Sequence, residues 1–111
     1  MSAFIKEWEK LEKEVSEISA SKGFENKRSE NFGQIVALMH SELSEALEGA
    51  RHGNPPSDHI PQYSAIEEEF ADVVIRIMGC AYDRGYDVAG AILEKIEFNR
   101  NREYKHGSKS F

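Results

Sequence analysis

Cysteine, basic charge and long apolar runs are all scarce in this sequence, and each scarcity removes a class of protein. The single cysteine, Cys80, cannot close an internal disulfide, and its place in an apolar run predicts a small core residue. No apolar run approaches the roughly 18 residues of a membrane span and no signal-peptide pattern is visible, so a cytoplasmic protein with no membrane partner is expected. Lys and Arg number 14 against 20 Asp and Glu, and the net charge of −6 argues against binding a nucleic-acid polymer or an anionic membrane. Neither GxGxxG nor GxxxxGK occurs, so a phosphate ligand cannot rely on a P-loop. The four histidines show no HxxxH spacing and no cysteine cluster accompanies them, which removes the common zinc patterns. A Ser/His/Asp nucleophile arrangement has no local support either.

What is present suits one helical domain spanning residues 1–111. Hydrophobic residues make up 40% and charged residues 31%, at a length where oligomerisation often supplements the core. The first helix is expected from Ser2 to about Ser21, with Phe4, Trp8, Leu11, Val15 and Ile18 forming a narrow apolar seam that needs other helices or a second subunit to cover it. Lys6, Glu7, Glu9, Lys10, Glu12, Lys13 and Glu14 cover the remaining faces, and Gly23 is the expected stop. A polar connection, residues 24–30, leads to a second helix over Asn31–Arg51 that ends at His52 and Gly53. Pro55, Pro56 and Pro61 break the next segment, which reads as a rigid spacer laying two helices antiparallel, or else as a pocket wall. Asp58 and His59 lie on it without an obvious set of metal-binding partners. The third helix, Ala65–Arg84, has the widest apolar arc and should be the central one, ended by Gly85. Asp87 caps a fourth helix reaching about Tyr104, with Val88, Ala91, Ile92, Ile96 and Phe98 as apolar contacts. The fold class is therefore all-α, a four-helix bundle.

Two acid pairs stand out from this frame. Glu42 and Glu45 form ExxE on the second helix, and Glu69 and Asp72 form ExxD on the third, with residues 46–68 between them. Three-residue spacing puts both members of a pair on one face, one turn apart. On a helical wheel Glu42 falls inside the apolar arc of Leu38, Ile35, Ala46, Met39, Ala50 and Leu43, and Glu45 lies at its rim. Glu69 edges the arc of Ile66, Val73, Ile77, Phe70, Val74, Ala81 and Met78, with Asp72 a little beyond. A carboxylate at the edge of a core needs a partner, and one divalent metal shared by four carboxylates would supply it. Ordinary structural roles compete with this reading: Ser64 and Glu67 make a capping box, acids suit the start of a helix, and Asp72 and Arg76 are spaced for an i,i+4 ion pair.

The two pairs in this order, the intervening EALEGARHGNPPSDHIPQYSAIEEEFADVVIRI and the later KIEFNRNREYKHGSK resemble the MazG-like branch of the all-α nucleoside triphosphate pyrophosphohydrolases. The resemblance covers residues from about Phe32 to Lys109, and the first helix matches only in kind. It implies action on a nucleoside triphosphate, while the first-helix seam and the modest core of so short a chain lead to an expected homodimer or dimer of dimers (a homotetramer). It also implies hydrolysis between the α and β phosphorus to give monophosphate and pyrophosphate. Glu42, Glu45, Glu69 and Asp72 would ligate Mg²⁺, with Mn²⁺ as a substitute, and Glu45 would take the proton of the attacking water. Lys95, Asn99 and Arg102 share a polar stripe at i, i+4 and i+7, and its continuation holds Lys105, His106 and Lys109. By the same resemblance Lys95 and Asn99 help hold the phosphates, and Arg102 and Lys109 extend that surface. Trp8 is a packing anchor or, alternatively, a nucleobase contact. Two other functions stay open: a non-catalytic helical module whose acids are ion-paired and whose first-helix seam recruits a partner, and a pyrophosphohydrolase of a phosphoribosylated nucleotide.

Overall fold

Four helices are found among the described residues: α1 (Ala3–Ser21), α2 (Phe32–Arg51), α3 (Ala65–Arg84) and α4 (Val88–Arg100). They come from a computed structural model that describes residues 2–23 and 31–102. The described residues contain no β-strand, only an isolated antiparallel bridge between Pro56 and Ser64. The class is all-α, as the periodicity predicts. The first three helices end within a residue of their expected bounds, whereas α4 stops at Arg100, short of Tyr104.

Local chemistry accounts for the helix ends. Ser2 caps α1 by accepting from the Ile5 N–H at 3.2 Å, and Asp87 caps α4 by accepting from Gly90 at 2.9 Å. Gly85 closes α3 at φ +74°, a left-handed conformation that a side chain would strain. The start of α3 is the most completely satisfied end. Ala65 N–H donates to Pro55 O at 2.7 Å, Ile66 N–H to Asn54 Oδ1 at 2.9 Å, and Glu67 N–H to Ser64 Oγ at 3.2 Å. The Glu67 carboxylate accepts from the Ser64 N–H in return, which completes the capping box and holds that carboxyl below its ordinary range. The four N–H groups that a helix start leaves without an internal partner, from Ser64 to Glu67, are thus all occupied.

Those bonds come from the proline segment, which does more than space the helices. Asn54 takes a left-handed turn at φ 52°, Ser57 N–H donates to Tyr63 O at 2.8 Å, and the segment folds back over the start of α3. The turn lays α2 and α3 antiparallel. Gly49 faces Ala65 and Ile66, Glu42 faces Arg76, and Asn31 and Phe32 face Arg84, in that order along the pair. A methyl group on Gly49 would come within 3.3 Å of the Ala65 Cβ, so the missing side chain is what lets the two helices close at this end.

Packing is most extensive between α2 and α3, then between α1 and α3, with a smaller contact between α1 and α4. The central place expected for α3 follows from this, and Met78, Gly79, Cys80 and Ala81 are its buried stretch. Cys80 is a buried free thiol raised above its ordinary pKa by burial, in keeping with a core role. The face of α1 differs from expectation. Phe4, Leu11 and Ile18 of the seam are exposed, Trp8 and Val15 are half-buried, and the most buried residues are Glu12 and Ser16. Glu12 therefore does not belong to the solvated faces. It accepts a 2.7 Å hydrogen bond from the Trp8 indole N–H, and Ser16 Oγ donates to Asp83 across to α3. Hydrogen bonding turns a polar row of α1 inward and rotates the apolar seam partly out.

Ser64→Ala should lower stability by about 1 kcal/mol, the usual worth of an N-cap. Asn54→Ala should cost more, about 2 kcal/mol, because it loses both the bond to Ile66 N–H and the residue type that tolerates a positive φ. Denaturant melts of the two variants check the ranking.

Candidate metal centre

Midway along the α2–α3 pair the antiparallel register brings Glu42 opposite Glu69 and Asp72. One carboxylate oxygen from each lies within 4.8 Å of the others, and all three residues are partly buried. Oxygens around an octahedral Mg²⁺ are at most about 4.2 Å apart, so only a small contraction separates this group from a ligand set. The chemistry also fits a hard divalent cation, since every donor is a carboxylate oxygen. A further sign is Glu69 Oε2, which is buried and has no hydrogen-bond partner among the described residues. An unpartnered buried acceptor is costly, and a cation would satisfy it.

The one guanidinium at this point is Arg76. Its Nε donates to Glu42 Oε1 at 3.1 Å, its Nη2 lies 3.0 Å from the same oxygen as an ion pair, and the Glu42 side chain is 17% exposed. This corrects the i,i+4 expectation: the geometric ion pair of Arg76 is with Glu42 across the helix pair, while Asp72 feels Arg76 only as a nearby charge. Glu45, one turn beyond Glu42, is exposed and is not among the three grouped carboxylates.

Proton affinities follow from crowding. Burial, then a hydrogen bond with Glu42, then the charges of Glu42, Asp72 and Glu68 push Glu69 up to about 7. Asp72 is also raised, first by burial and then by Glu42 and Glu68, with Arg76 and His59 pulling the other way.

A second polar group flanks the acids. Ser57 Oγ donates to Glu68 Oε1 at 2.5 Å, and His59 Nδ1 lies 2.7 Å from Glu68 Oε2. Those bonds hold the Glu68 carboxyl below its ordinary range, and the carboxylate raises His59. Asp58 and His59 do not join the metal group; His59 has Glu68 instead. Nothing in the sequence marked this pairing, because a loop hydroxyl has no periodicity to betray its partner.

The remaining candidates lie elsewhere. Lys95 and Asn99 are exposed on α4, with the Lys95 ammonium 4.4 Å from the Phe98 ring centre, and Arg102 is exposed just beyond the helix. Since α4 packs chiefly on α1, the stripe and the acids belong to different helix pairs. Lys105, His106 and Lys109 lie outside the described residues. Trp8 packs on Phe4 and lines a cavity of about 190 Å³ with Glu12, Tyr82 and Tyr86. That cavity meets α3 at Ala81, nine residues past Asp72 and so about 14 Å further along the helix axis. No helix among the described residues is long and apolar enough to cross a membrane.

Comparison of the chain with known protein families, curated proteins and solved structures finds no match.

A carboxyl whose folded-state pKa is raised favours folding while protonated, a benefit present below its unfolded value of 4.5 and lost as pH climbs through about 7. Metal-free protein should therefore melt lower at about pH 8 than at about pH 5, with Asp72 adding in the same direction. Glu69→Gln should flatten much of that slope. Added Mg²⁺ should raise the melting temperature more at the higher pH, because cation and proton compete for the same oxygens. Melts in chelator and in Mg²⁺ at both pH values measure each part.

Proposed function

We propose that this chain is a Mg²⁺-dependent nucleoside triphosphate pyrophosphohydrolase of the MazG-like kind, releasing monophosphate and pyrophosphate. The observation that carries the reading is the meeting of Glu42, Glu69 and Asp72 across two helices, with a buried Glu69 oxygen left unpartnered. A bound divalent cation would neutralise phosphate charge and acidify a water. Around it, the residues of the chain divide the work. Glu42, Glu69 and Asp72 hold the cation, and Glu69 gives up its proton as the site fills. Arg76, already at Glu42, holds that carboxylate in place. Glu45, exposed one turn away, would be the fourth carboxylate of the set and is the proposed acceptor of the water's proton. Lys95, Asn99 and Arg102 offer donors to the phosphates that the cation leaves uncovered.

For those α4 donors and the acids to meet on one substrate, a second copy of the chain is the natural supplier, and a homodimer or a dimer of dimers is part of the proposal. Large apolar side chains are exposed beside the acids themselves: Leu43 and Leu47 on α2, and Phe70 and Val74 on α3. No large side chain among the described residues is fully buried, so a single chain leaves much of its apolar surface in water.

A second reading has its own observation. The Arg76–Glu42 pair and the exposed α1 residues Phe4, Leu11 and Ile18 also suit a non-catalytic module that binds a partner through α1. Turnover separates the two, and a nucleotide panel that includes phosphoribosylated nucleotides identifies the substrate class.

With Mg²⁺ and a nucleoside triphosphate, pyrophosphate and monophosphate should appear together. Diphosphate with free phosphate as first products would rule out α,β cleavage, and no turnover on any nucleotide would favour the interaction module. Glu69→Gln and Asp72→Asn should each lower kcat/KM on the order of 100-fold or more. Lys95→Ala should lower it about 10-fold with little change in melting temperature, as expected for one charge-assisted contact to phosphate. Sedimentation should show a dimer or larger species, and a stable monomer would remove the case for a shared site.

A further inference from the structure

Ser57 is the only buried side chain in the connection between α2 and α3 over residues 52–63, at 4% exposure. Burial of a lone hydroxyl in a loop is costly unless its bonds are made, and here all of them are. Oγ donates to Glu68 Oε1 at 2.5 Å and accepts from the N–H groups of His59 and Ile60, each at 3.1 Å. One donor and two acceptor sites are thereby used in full. The Ser57 backbone is held as well, its N–H donating to Tyr63 O at 2.8 Å.

The partner of this hydroxyl matters because of where it sits. Glu68 immediately precedes Glu69 and lies one turn before Asp72, and its charge acts on both. Ser57 occupies one Glu68 oxygen and His59 the other, so the carboxylate is turned toward the loop. The same loop supplies Asn54 Oδ1 and Pro55 O to the first N–H groups of α3, and therefore fixes the turn from which Glu69 and Asp72 project. Without the Ser57 bond, Glu68 would be held only by the exposed His59, and the loop would lose its only buried side-chain anchor.

We propose that Ser57 is a positioning residue for the acid site: its buried hydroxyl ties the 54–64 loop to Glu68, sets the first turn of α3 and keeps the Glu68 carboxylate out of the Glu42–Glu69–Asp72 group. The inference rests on the metal reading of that group. It adds a residue that touches neither cation nor substrate and acts through α3.

Mn²⁺ titration calorimetry on the chelator-stripped full chain tests it with two pairs of variants. Ser57→Ala preserves every charge, yet should weaken Mn²⁺ binding about 10-fold, the lower end of what loss of an outer partner costs a metal site. Ser57→Thr, which keeps the hydroxyl, should bind within about 3-fold of the parent. From the other side, Glu68→Ala should bind as weakly as Ser57→Ala. Glu68→Gln, which removes the charge but still accepts from Ser57, should recover most of the affinity. Unchanged affinity in Ser57→Ala overturns the inference, as does Glu68→Gln binding as weakly as Glu68→Ala, since charge alone would then explain the effect. Should Ser57→Ala fail to fold, the Glu68 pair decides. A parent protein that binds no Mn²⁺ defeats the metal reading itself and this inference with it, an outcome distinct from equal binding across the variants.

Discussion

Where α2 crosses α3, three carboxylates meet and a single guanidinium partly offsets them. The arrangement demands a close and well-registered helix pair, since a rotation of either helix would return the acids to water. Much of the local structure can be read as meeting that demand. Gly49 lets the helices approach at one end, and Arg84 ties α3 back to Asn31 and over the Phe32 ring at the other. The loop between the helices and the Ser64 cap close the open N–H groups at the start of α3. In the metal-free state part of the electrostatic cost is met by protonation, because burial and neighbouring charge raise Glu69 to about 7.

Glu69 has one oxygen buried without a partner among the described residues, and such an acceptor is costly. Arg76 adds a second element. Pairing with Glu42, it leaves Glu69 and Asp72 without an ion pair among the described residues, and a divalent ion would fill that gap. The ion pair and the proposed metal are therefore compatible: the guanidinium holds Glu42, and a cation would be met by Glu69 and Asp72 beside it.

The apolar surface points outward in a way that a lone domain of this size rarely sustains. Phe70 and Val74 are exposed on the helix that carries Glu69 and Asp72, and Leu43 and Leu47 on the helix that carries Glu42. A partner surface laid against these residues would reduce water access to the acids as well as bury apolar area, so assembly and electrostatics would strengthen together.

Helix boundaries, caps and the two acid pairs were legible from residue order because they depend on local periodicity and on the bonding reach of a few neighbouring side chains. Ser64 with Glu67, Asp87 and Gly85 each act within four residues of their own position. Facing relations across the bundle were not legible in the same way. The wheel placed Glu42 in an apolar arc, but only the register of α2 against α3 decides that it meets Glu69, Asp72 and Arg76, while Glu45, one turn away, stays exposed. Glu12 shows the limit most clearly: apolar spacing assigned it to water, yet its bond to Trp8 and the packing of α1 on α3 bury it. Ser57 and Glu68 lie eleven residues apart with a turn between them, and their contact exists only because the loop folds back. The sequence by itself determined which segments are helical and which carry acids, since those properties are local; the tertiary structure decided which acids share a site, since that depends on the rotation and register of one helix against another.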